Sequence, residues 1–359
     1  MTGPVPPSRV APAPASLREV GRRVDARILG VLDLELERWQ AVDPDLGAPL
    51  GALRALVAAG GKRLRPAFCH WAFVGAGGDP GDGRVVDAGA ALELLHTFAL
   101  VHDDVMDGSD QRRGLASVHR AFIDRHLGLG WQGDARRSGE GAAILVGDFA
   151  FVYADQILGE IPADARAVFD ELRLELCVGQ YLDLVGTASG SRDPEQATRI
   201  ERYKSGKYTV ERPLHLGAAL AGGGPDVHAA LTAVGLPLGE AFQLRDDLLG
   251  VFGDSTVTGK PVGDDLREGK LTPLIAAAAA RVDPTVRTLL DRVGATDLDA
   301  ATVEAIQAML VDSGAVAEIE DRIADRVDEA LAALERAPIT AEARDALADL
   351  TRFAAWRDR

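Results

Sequence analysis

The sequence predicts an all-α protein that consists of one large helical domain. Apolar residues recur at helical spacing through most of the 359 residues, and no stretch shows convincing strand alternation or a repeat of fixed period. No linker divides residues 15–359, so we expect a single domain there. Residues 1–14, which contain five prolines, are expected to form a disordered tail.

The composition excludes several classes of protein. The net charge of −16 without a basic stripe argues against a nucleic-acid partner. No uncharged apolar stretch reaches the ~18 to 20 residues of a membrane span, and the N-terminus lacks a hydrophobic signal core. We therefore expect a cytoplasmic protein without a membrane span, in which Cys69 and Cys177 are reduced, buried thiols.

Capping and breaking residues predict where the helices begin and end. The first predicted helix begins at a capping box at Ser16. Further helices are predicted at 46–60, 82–107, 140–158 and 164–185, from Pro194 onward, and at 236–252. Helical periodicity continues from Pro284 to the C-terminus with a break at 338–340. The polar stretches 126–140 and 253–260 are predicted loops.

The helix predicted at 82–107 ends in an acidic cluster that contains Asp103, Asp104 and Asp107. Asp103 and Asp107 are four residues apart, so their carboxylates lie on one helix face. Such carboxylates repel each other unless a cation lies between them, and Mg²⁺ typically binds one or two protein carboxylates together with substrate phosphates. The alternative is a solvated acidic helix end, which an acidic protein often contains by chance.

Cations accompany this cluster and a second one. Arg112 and Arg113 follow the first cluster, and their planar guanidinium groups match phosphate oxygens. A second acidic pair, Asp246-Asp247, ends the helix predicted at 236–252. The remaining cations of interest are Lys62, Arg65, Lys204, Lys260 and Lys270. Lys62 and Arg65 form either an electrostatic helix end or a phosphate clamp, and the two acidic clusters favour the clamp. The pattern suits a substrate that bears a diphosphate.

The motifs together resemble the trans-isoprenyl diphosphate synthases, or polyprenyl synthetases, over roughly residues 50–275. Five blocks match in order, namely Gly61-Lys62-Arg63-x-Arg65-Pro66, His102-Asp103-Asp104-x-x-Asp107 with Arg112-Arg113-Gly114, Gly179-Gln180-x-x-Asp183, Lys204-Ser205, and Phe242-Gln243-x-x-Asp246-Asp247. Each block alone is a weak signal, whereas five in order are specific.

This resemblance implies a helical bundle around a deep apolar cavity, a homodimer, and Mg²⁺ as the cofactor. Asp103 and Asp107 would hold two ions and Asp246 a third, with Asp104 and Asp247 in support. The resemblance assigns Arg112, Lys204 and Lys260 to the allylic diphosphate (dimethylallyl, geranyl or farnesyl), Lys62, Arg65, His96 and Arg113 to isopentenyl diphosphate, and Ser205, Gln243 and Tyr208 to the developing carbocation.

One position departs from the pattern that the family often shows. The second cluster is often DDxxD, but its fifth position here is Gly250. Asp246 then remains the main ligand, and we expect Asp254 to replace the missing carboxylate in part.

The product length is predicted from residues that precede Asp103. With a rise of ~1.5 Å per residue, Phe98 and Ala99 lie about 6 to 7 Å below Asp103 along the helix, and Leu95 lies a turn further. The combination of one large and one small residue at these positions resembles the pattern of geranylgeranyl diphosphate synthases. A farnesyl or longer product is the alternative, because the floor of the cavity could lie elsewhere.

Two other functions fit part of the pattern. A class I terpene cyclase would need a second metal motif, which Asp254 and Thr258 begin but Val262 does not complete. A non-catalytic partner subunit would have lost metal ligands or cations, and only Gly250 points that way. We therefore favour the synthase over both.

Overall fold

The computed structural model confirms the all-α architecture. It describes residues 11–189, 194–253, 262–270, 272–295 and 297–357. The helices are α1 (Ala15–Gln40), α2 (Gly47–Ala58), α3 (Leu64–Gly75), α4 (Gly83–Asp107), α5 (Val118–Gly128), α6 (Ala135–Leu158), α7 (Ala163–Ser189), α8 (Pro194–Glu201), α9 (Arg212–Leu220), α10 (Pro225–Phe252), α11 (Asp264–Glu268), α12 (Pro273–Ala279), α13 (Pro284–Leu290), α14 (Ala300–Asp312), α15 (Ala315–Arg336) and α16 (Ala341–Ala355). Three smaller elements join them, a 3₁₀ turn (Pro44–Leu46), a π-helical stretch (Arg202–Glu211) and a hairpin of β1 (Gln111–Arg112) and β2 (Leu115–Ala116).

Two long helices, α4 and α10, carry the acidic clusters through the centre of the molecule. The α4 helix packs against α3 and α6, while α10 packs against the π-helical stretch and α15. The buried residues form two hydrophobic clusters, and α10 contributes to both, with Leu238 and Phe242 in one and Leu244 and Leu248 in the other. The single domain over residues 15–359 remains a prediction.

Capping chemistry sets the ends of α4 as expected. The side chain of Asp82 accepts a hydrogen bond from the Arg84 amide at 2.8 Å, which satisfies an amide in the first turn. Gly108 follows the last residue with a φ of 69°, a left-handed conformation that glycine adopts without strain. The acidic cluster therefore ends α4 at a sharp turn into the hairpin.

Several predicted boundaries were wrong. Much of the loop predicted at 126–140 is helical, because α5 continues to Gly128 and the Asp134 side chain caps α6 at Ala135. The α10 helix begins at Pro225 rather than at 236 and contains Pro237 in its interior. The capping box at Ser16 does not form, since α1 begins one residue earlier without a side-chain cap.

Both cysteines were expected to be buried, and one of them is not. Cys69 is buried as predicted, but Cys177 is exposed on α7. Residues 1–10 of the predicted tail lie outside the described residues, as do Asp254, Thr258 and Lys260. The amide of Ala11, which does belong to the described part, donates to the Trp356 carbonyl at 3.0 Å, so the first and last described segments are in contact.

By length and composition alone, α4 and α6 are apolar enough to cross a membrane, although both contain charged residues and neither is the uncharged span that the sequence analysis excluded. The two helices pack against each other in the bundle. Buried helices of soluble proteins pass the same test, so this finding is weak evidence for a membrane span.

Candidate active site

The two carboxylates at the end of α4 face a set of cations. Asp103 Oδ1 accepts hydrogen bonds from Lys204 Nζ at 3.0 Å and from Gln180 Nε2 at 2.9 Å. Burial alone would raise the pKa of Asp103, but Lys204, Lys270 and Arg112 lower it below its ordinary value. Burial and the charge of Asp103 raise the pKa of Asp107 to about 6. The two carboxylates thus repel each other, as the spacing predicted, and a cation between them would relieve this repulsion.

Lys204 reaches Asp103 because a glycine lets two elements approach closely. A Cβ atom at Gly179 would lie 2.4 Å from the backbone nitrogen of Lys204, so only glycine permits this contact between α7 and the π-helical stretch. Lys204 Nζ then lies 2.6 Å from Asp183 Oδ2 and 3.0 Å from Asp103 Oδ1. Gly179, Gln180 and Asp183 therefore position Lys204 and Asp103, and the π-helical geometry is of a kind that often marks functional sites.

The hairpin after α4 places the two arginines on different partners. Arg112 Nε donates to the buried Asp104 at 2.9 Å, and Arg112 Nη2 lies 3.6 Å from Asp103 Oδ2. Arg113 has a φ of 54° and donates to the Leu56 carbonyl at 3.2 Å and to Glu93 at 3.4 Å. Asp104 therefore orients Arg112 toward the first acidic cluster, while Arg113 points toward α2.

Three polar groups near Arg113 are buried without a hydrogen-bond partner among the described residues. They are Arg65 Nε, His96 Nδ1 and the Tyr208 hydroxyl. The Arg65 guanidinium lies 4.4 Å from the centroid of the Tyr208 ring, and its Nη2 donates to Thr209 at 2.7 Å. Burial and the charge of Arg65 lower the pKa of His96 well below its ordinary value. Because an unpaired buried polar group costs about 1–3 kcal/mol, this group of residues has the chemistry of a ligand site.

The second acidic cluster meets the C-terminal end of the described chain. Asp246 pairs with the buried Arg357, and Asp247 Oδ1 accepts a hydrogen bond from Gln243 Nε2 at 2.8 Å. Burial would raise the pKa of Asp246, but Arg357, Lys62 and Arg65 lower it below its ordinary value. Asp246 therefore stays ionised in this structure.

Gly250 makes room for the carboxylate of Asp265. A Cβ atom at residue 250 would lie 1.8 Å from Oδ2 of Asp265. The Asp265 side chain, on the short helix α11, thus fills the space beside the fifth position of the second cluster. Lys270 Nζ lies 3.5 Å from Asp265 Oδ1 and 3.8 Å from Asp107 Oδ2, so one cation joins both clusters.

The clusters line one cleft of about 1210 Å³. The predicted site residues on its wall are Lys62, Arg65, His96, Ala99, Asp103, Arg112, Arg113, Lys204, Tyr208, Gln243, Asp246 and Asp247. Asp104 is 1 % exposed behind Arg112, and Asp107 lies 3.8 Å from Lys270, itself on the wall. Ser205 lies on the π-helical stretch, and Lys260 lies outside the described residues.

The structure does not bring two of the three predicted length-determining residues to this wall. Leu95 is fully buried in the core. The Phe98 ring packs against Phe151 and His102 at centroid distances of 5.0 and 4.6 Å. Ala99 and its neighbour Leu100 line the cleft instead. Phe98 and Leu95 therefore lie behind the wall rather than in it.

Sequence reasoning gave no role to four residues of this site, namely Gln180, Asp183, Asp265 and Arg357. The Gly179-Gln180-x-x-Asp183 spacing was a signal for the first two, since it places three groups on neighbouring helix faces. Asp265 lies in an acidic loop sequence and Arg357 near the end of the chain, and nothing local in the sequence marks either.

The donor set fits Mg²⁺. No group of three or more His, Cys, Asp or Glu side chains among the described residues forms a metal cage made of protein alone. Paired carboxylates that face lysines and arginines suit an ion that keeps water and phosphate ligands, as Mg²⁺ does. Asp103, Asp107 and Asp246 are the carboxylates that such ions would use.

Comparison with known proteins agrees with this geometry. A sequence model of the family described as polyprenyl synthetase matches residues 50–310. Geranylfarnesyl diphosphate synthase of Aeropyrum pernix is 32% identical over 88% of this chain and 96% of its own length. Geranylgeranyl diphosphate synthase of Mycobacterium tuberculosis is 35% identical over 76% of this chain and 75% of its own length. The crystal structure of geranylgeranyl pyrophosphate synthase from Corynebacterium glutamicum, complexed with isoprenyl diphosphate and magnesium, superposes with a TM-score of 0.88 at 35% identity and covers 96% of this chain and 99% of that one.

Proposed function

The chain belongs to the polyprenyl synthetase family, whose members are trans-prenyltransferases, and we propose that it joins isopentenyl diphosphate to an allylic diphosphate to make geranylgeranyl diphosphate. The observation that carries the proposal is the single cleft in which two carboxylate clusters and the cations Lys62, Arg65 and Lys204 face one another. Such a cleft binds two diphosphates and neutralises the charge of the one that leaves.

The allylic diphosphate binds between the two acidic clusters. Asp103 and Asp107 would hold two Mg²⁺ ions and Asp246 a third, and these ions supply charge neutralisation for the departing diphosphate. Lys204, Arg112 and Lys270 orient its oxygens, because their nitrogen atoms already lie within 4 Å of Asp103 or Asp107. Lys260 joins this set by resemblance.

Isopentenyl diphosphate binds where polar groups are buried without a partner among the described residues. Arg65 and His96 donate to its diphosphate, with Lys62 and Arg113 as further cations on the same wall of the cleft. His96 is neutral, because burial and nearby arginines lower its pKa, so it donates one hydrogen bond rather than a charge. In this proposal the isopentenyl double bond lies beside the allylic carbon.

The reaction then needs little covalent help from the protein. The allylic C–O bond breaks to release diphosphate, and the isopentenyl double bond attacks the allylic cation to form a C–C bond. A proton leaves the new cation and goes to an oxygen of the released diphosphate. In this proposal the side-chain oxygens of Gln243 and Tyr208, both on the cleft wall, stabilise the developing positive charge, and Ser205 joins them by resemblance. Water would quench the cation and must be excluded from the cleft during this step.

The product length is set where the chain of the product meets the wall. Ala99 and Leu100 on α4 and Leu176 on α7 line the apolar part of the cleft. The small residue at position 99 lets the growing prenyl chain extend past Asp103. We propose that the wall that stops the chain at twenty carbons lies deeper in the cleft, with Phe98 and Leu95 packed behind the wall. A farnesyl or longer product is the alternative.

A homodimer is the proposed assembly, and an apolar face identifies the helices that would form it. The exposed apolar residues on this face are Ile144, Leu145 and Val152 on α6 and Leu174, Val178, Tyr181, Leu184 and Val185 on α7. They recur at helical spacing on neighbouring stretches of chain, as expected for a surface that a second copy covers. The cytoplasm remains the expected location.

The experiment that tests the activity is a diphosphate-release assay. Purified protein is mixed with Mg²⁺, isopentenyl diphosphate and dimethylallyl, geranyl or farnesyl diphosphate, and the dephosphorylated products are separated by chromatography. We expect diphosphate release and a longer prenyl chain. A lack of release with every allylic primer would contradict the proposal.

A further inference from the structure

Arg357 pairs with the proposed metal ligand Asp246 in this structure. Its side chain is 1 % exposed, and the guanidinium lies 4.1 Å from the centroid of the Phe242 ring. Nη2 donates to the Asp246 carboxylate and, at 3.3 Å, to the Phe242 carbonyl, while Nη1 donates to the Ala354 carbonyl. The buried guanidinium thus occupies the Asp246 carboxylate, which is the proposed metal ligand of the second acidic cluster.

The segment that carries Arg357 is held in place by other contacts. Arg245, the neighbour of Asp246, donates from Nε to the Ala355 carbonyl at 2.7 Å. The same arginine binds both carboxylate oxygens of Glu320 at 2.8 and 2.6 Å. On the other side, the Ala11 amide donates to the Trp356 carbonyl at 3.0 Å. Contacts from both sides therefore hold residues 355–357 against α10, so the Arg357–Asp246 pair does not depend on a freely moving tail.

The pair conflicts with the role of Asp246 in the proposed reaction. A buried guanidinium and a divalent cation both neutralise a carboxylate, and two cations close to one oxygen repel each other. A cation that binds Asp246 must therefore displace Arg357 or share the carboxylate with it. Breaking a buried ion pair is costly because it leaves a buried charge without a partner, so the pair opposes metal binding until another cation takes its place.

On the basis of the proposed function, we propose that Arg357 is a positioning residue that holds Asp246 as an internal counter-ion and is exchanged for the metal when the diphosphate-metal complex binds. The exchange frees the guanidinium at the edge of the cleft and loosens residues 355–357. Metal binding at the second cluster and release of this segment are thus coupled, and each opposes the Arg357–Asp246 pair.

Metal titrations test the exchange without reference to turnover. Binding of Mn²⁺ in the presence of inorganic diphosphate is followed by electron paramagnetic resonance in the wild type and in Arg357→Gln. We expect one Mn²⁺ to bind at least about fivefold more tightly to the variant, which is the lower range of coupling between two ligands. Equal or weaker binding would overturn the proposal.

Arg245→Gln is the matched control. Arg245 is also buried and also holds the C-terminal segment, but its hydrogen bonds go to Glu320 and Ala355 rather than to Asp246. Its replacement should lower the unfolding temperature and, because the Arg357–Asp246 pair is kept, should raise the Mn²⁺ affinity much less than Arg357→Gln does. A similar gain of affinity in both variants would mean that general loosening, and not the ion pair, is responsible, and would also overturn the proposal.

A measurement on the wild type keeps the test valid if Arg357→Gln does not fold. Hydrogen exchange of the peptide that contains residues 353–357 should become faster when Mn²⁺ and inorganic diphosphate are added. Unchanged or slower exchange would contradict the release of this segment. Asp246→Asn should lose one bound Mn²⁺. If it does not, the exchange is refuted, whereas the diphosphate-release assay of the wild type still decides the activity independently.

Discussion

Replacement of Gly179 by alanine tests how the site is positioned by backbone packing. The new Cβ atom would lie 2.4 Å from the backbone nitrogen of Lys204, against an ordinary contact of 3.4 Å or more, so the two elements must separate by about 1 Å. Strain of this kind typically costs about 1–3 kcal/mol of folding free energy. The shift moves Lys204 Nζ away from Asp103 and Asp183, its present partners at 3.0 and 2.6 Å.

The expected result is a large loss of turnover with a moderate loss of stability. A displacement of about 1 Å at a group that orients substrate can lower the rate about 100-fold. Diphosphate release measures the rate, and urea unfolding measures the free energy of unfolding. Gly30→Ala is the control, because Gly30 lies on the exposed side of α1 with nothing within 4 Å of an added Cβ. It should keep full activity and change stability by no more than about 1 kcal/mol. Turnover of Gly179→Ala near that of Gly30→Ala would refute the reasoning.

Three further substitutions probe the metals and the cleft. Asp103→Asn should reduce turnover more than about 100-fold, the upper end of the effect of supporting residues at metal sites. The control Asp110→Asn, at an exposed position nearby, should keep its turnover. A near-normal rate for Asp103→Asn would show that Asp103 is not part of the site. Gly250→Ala should push away the Asp265 carboxylate and weaken Mn²⁺ binding about tenfold, and unchanged Mn²⁺ affinity would show that Asp265 does not support the second cluster. Ala99→Phe should shorten the main product on chromatography, and an unaltered product distribution would place the length limit elsewhere.

Disruption of the proposed dimer is a separate prediction. Val178→Glu places a charge on the exposed apolar face of α7, where Val178 is 50 % exposed. Light scattering should change from a dimer to a species of 37.9 kDa, the mass of one chain. Ala305→Glu adds the same charge at an exposed position of α14, which does not belong to this face, and serves as a control for charge alone. A wild type that is already monomeric would contradict the proposal.

The part of the site that lies on regular helices was predictable from the sequence. Asp103 and Asp107 share a helix face because the α-helix repeats every 3.6 residues, and the apolar run before them indicated that this face is buried. The Gly61–Pro66 block and the Lys204-Ser205 pair were recognised through their resemblance and their order. Local patterns of this kind suffice when a functional group and its backbone belong to the same element.

Contacts between distant parts of the chain were not predictable in the same way. Asp254, the expected partial replacement for the missing carboxylate, lies outside the described residues, but Asp265, which the sequence did not single out, lies beside Gly250 because α11 folds back onto α10. Arg357 reaches Asp246 only because α16 returns to α10. The ring of Phe98 was expected to form the floor of the cavity, yet it points toward α6, since a helix position alone does not say which neighbour it faces.

A single helix carries groups for both substrates, and this fixes where the reaction takes place. His96 belongs to the proposed isopentenyl site and Asp103 to the proposed allylic site, and the two are seven residues apart on α4, or about 10 Å along its axis. A helix cannot stretch, so the two reacting ends meet at the same point in every cycle, whatever the length of the tail. Each condensation therefore takes place at one fixed position in the cleft, and successive products differ only in the length of the prenyl chain that extends beyond it. The wall at the far end of the cleft decides when elongation stops. Mutations there can change the product length while the condensation reaction stays the same.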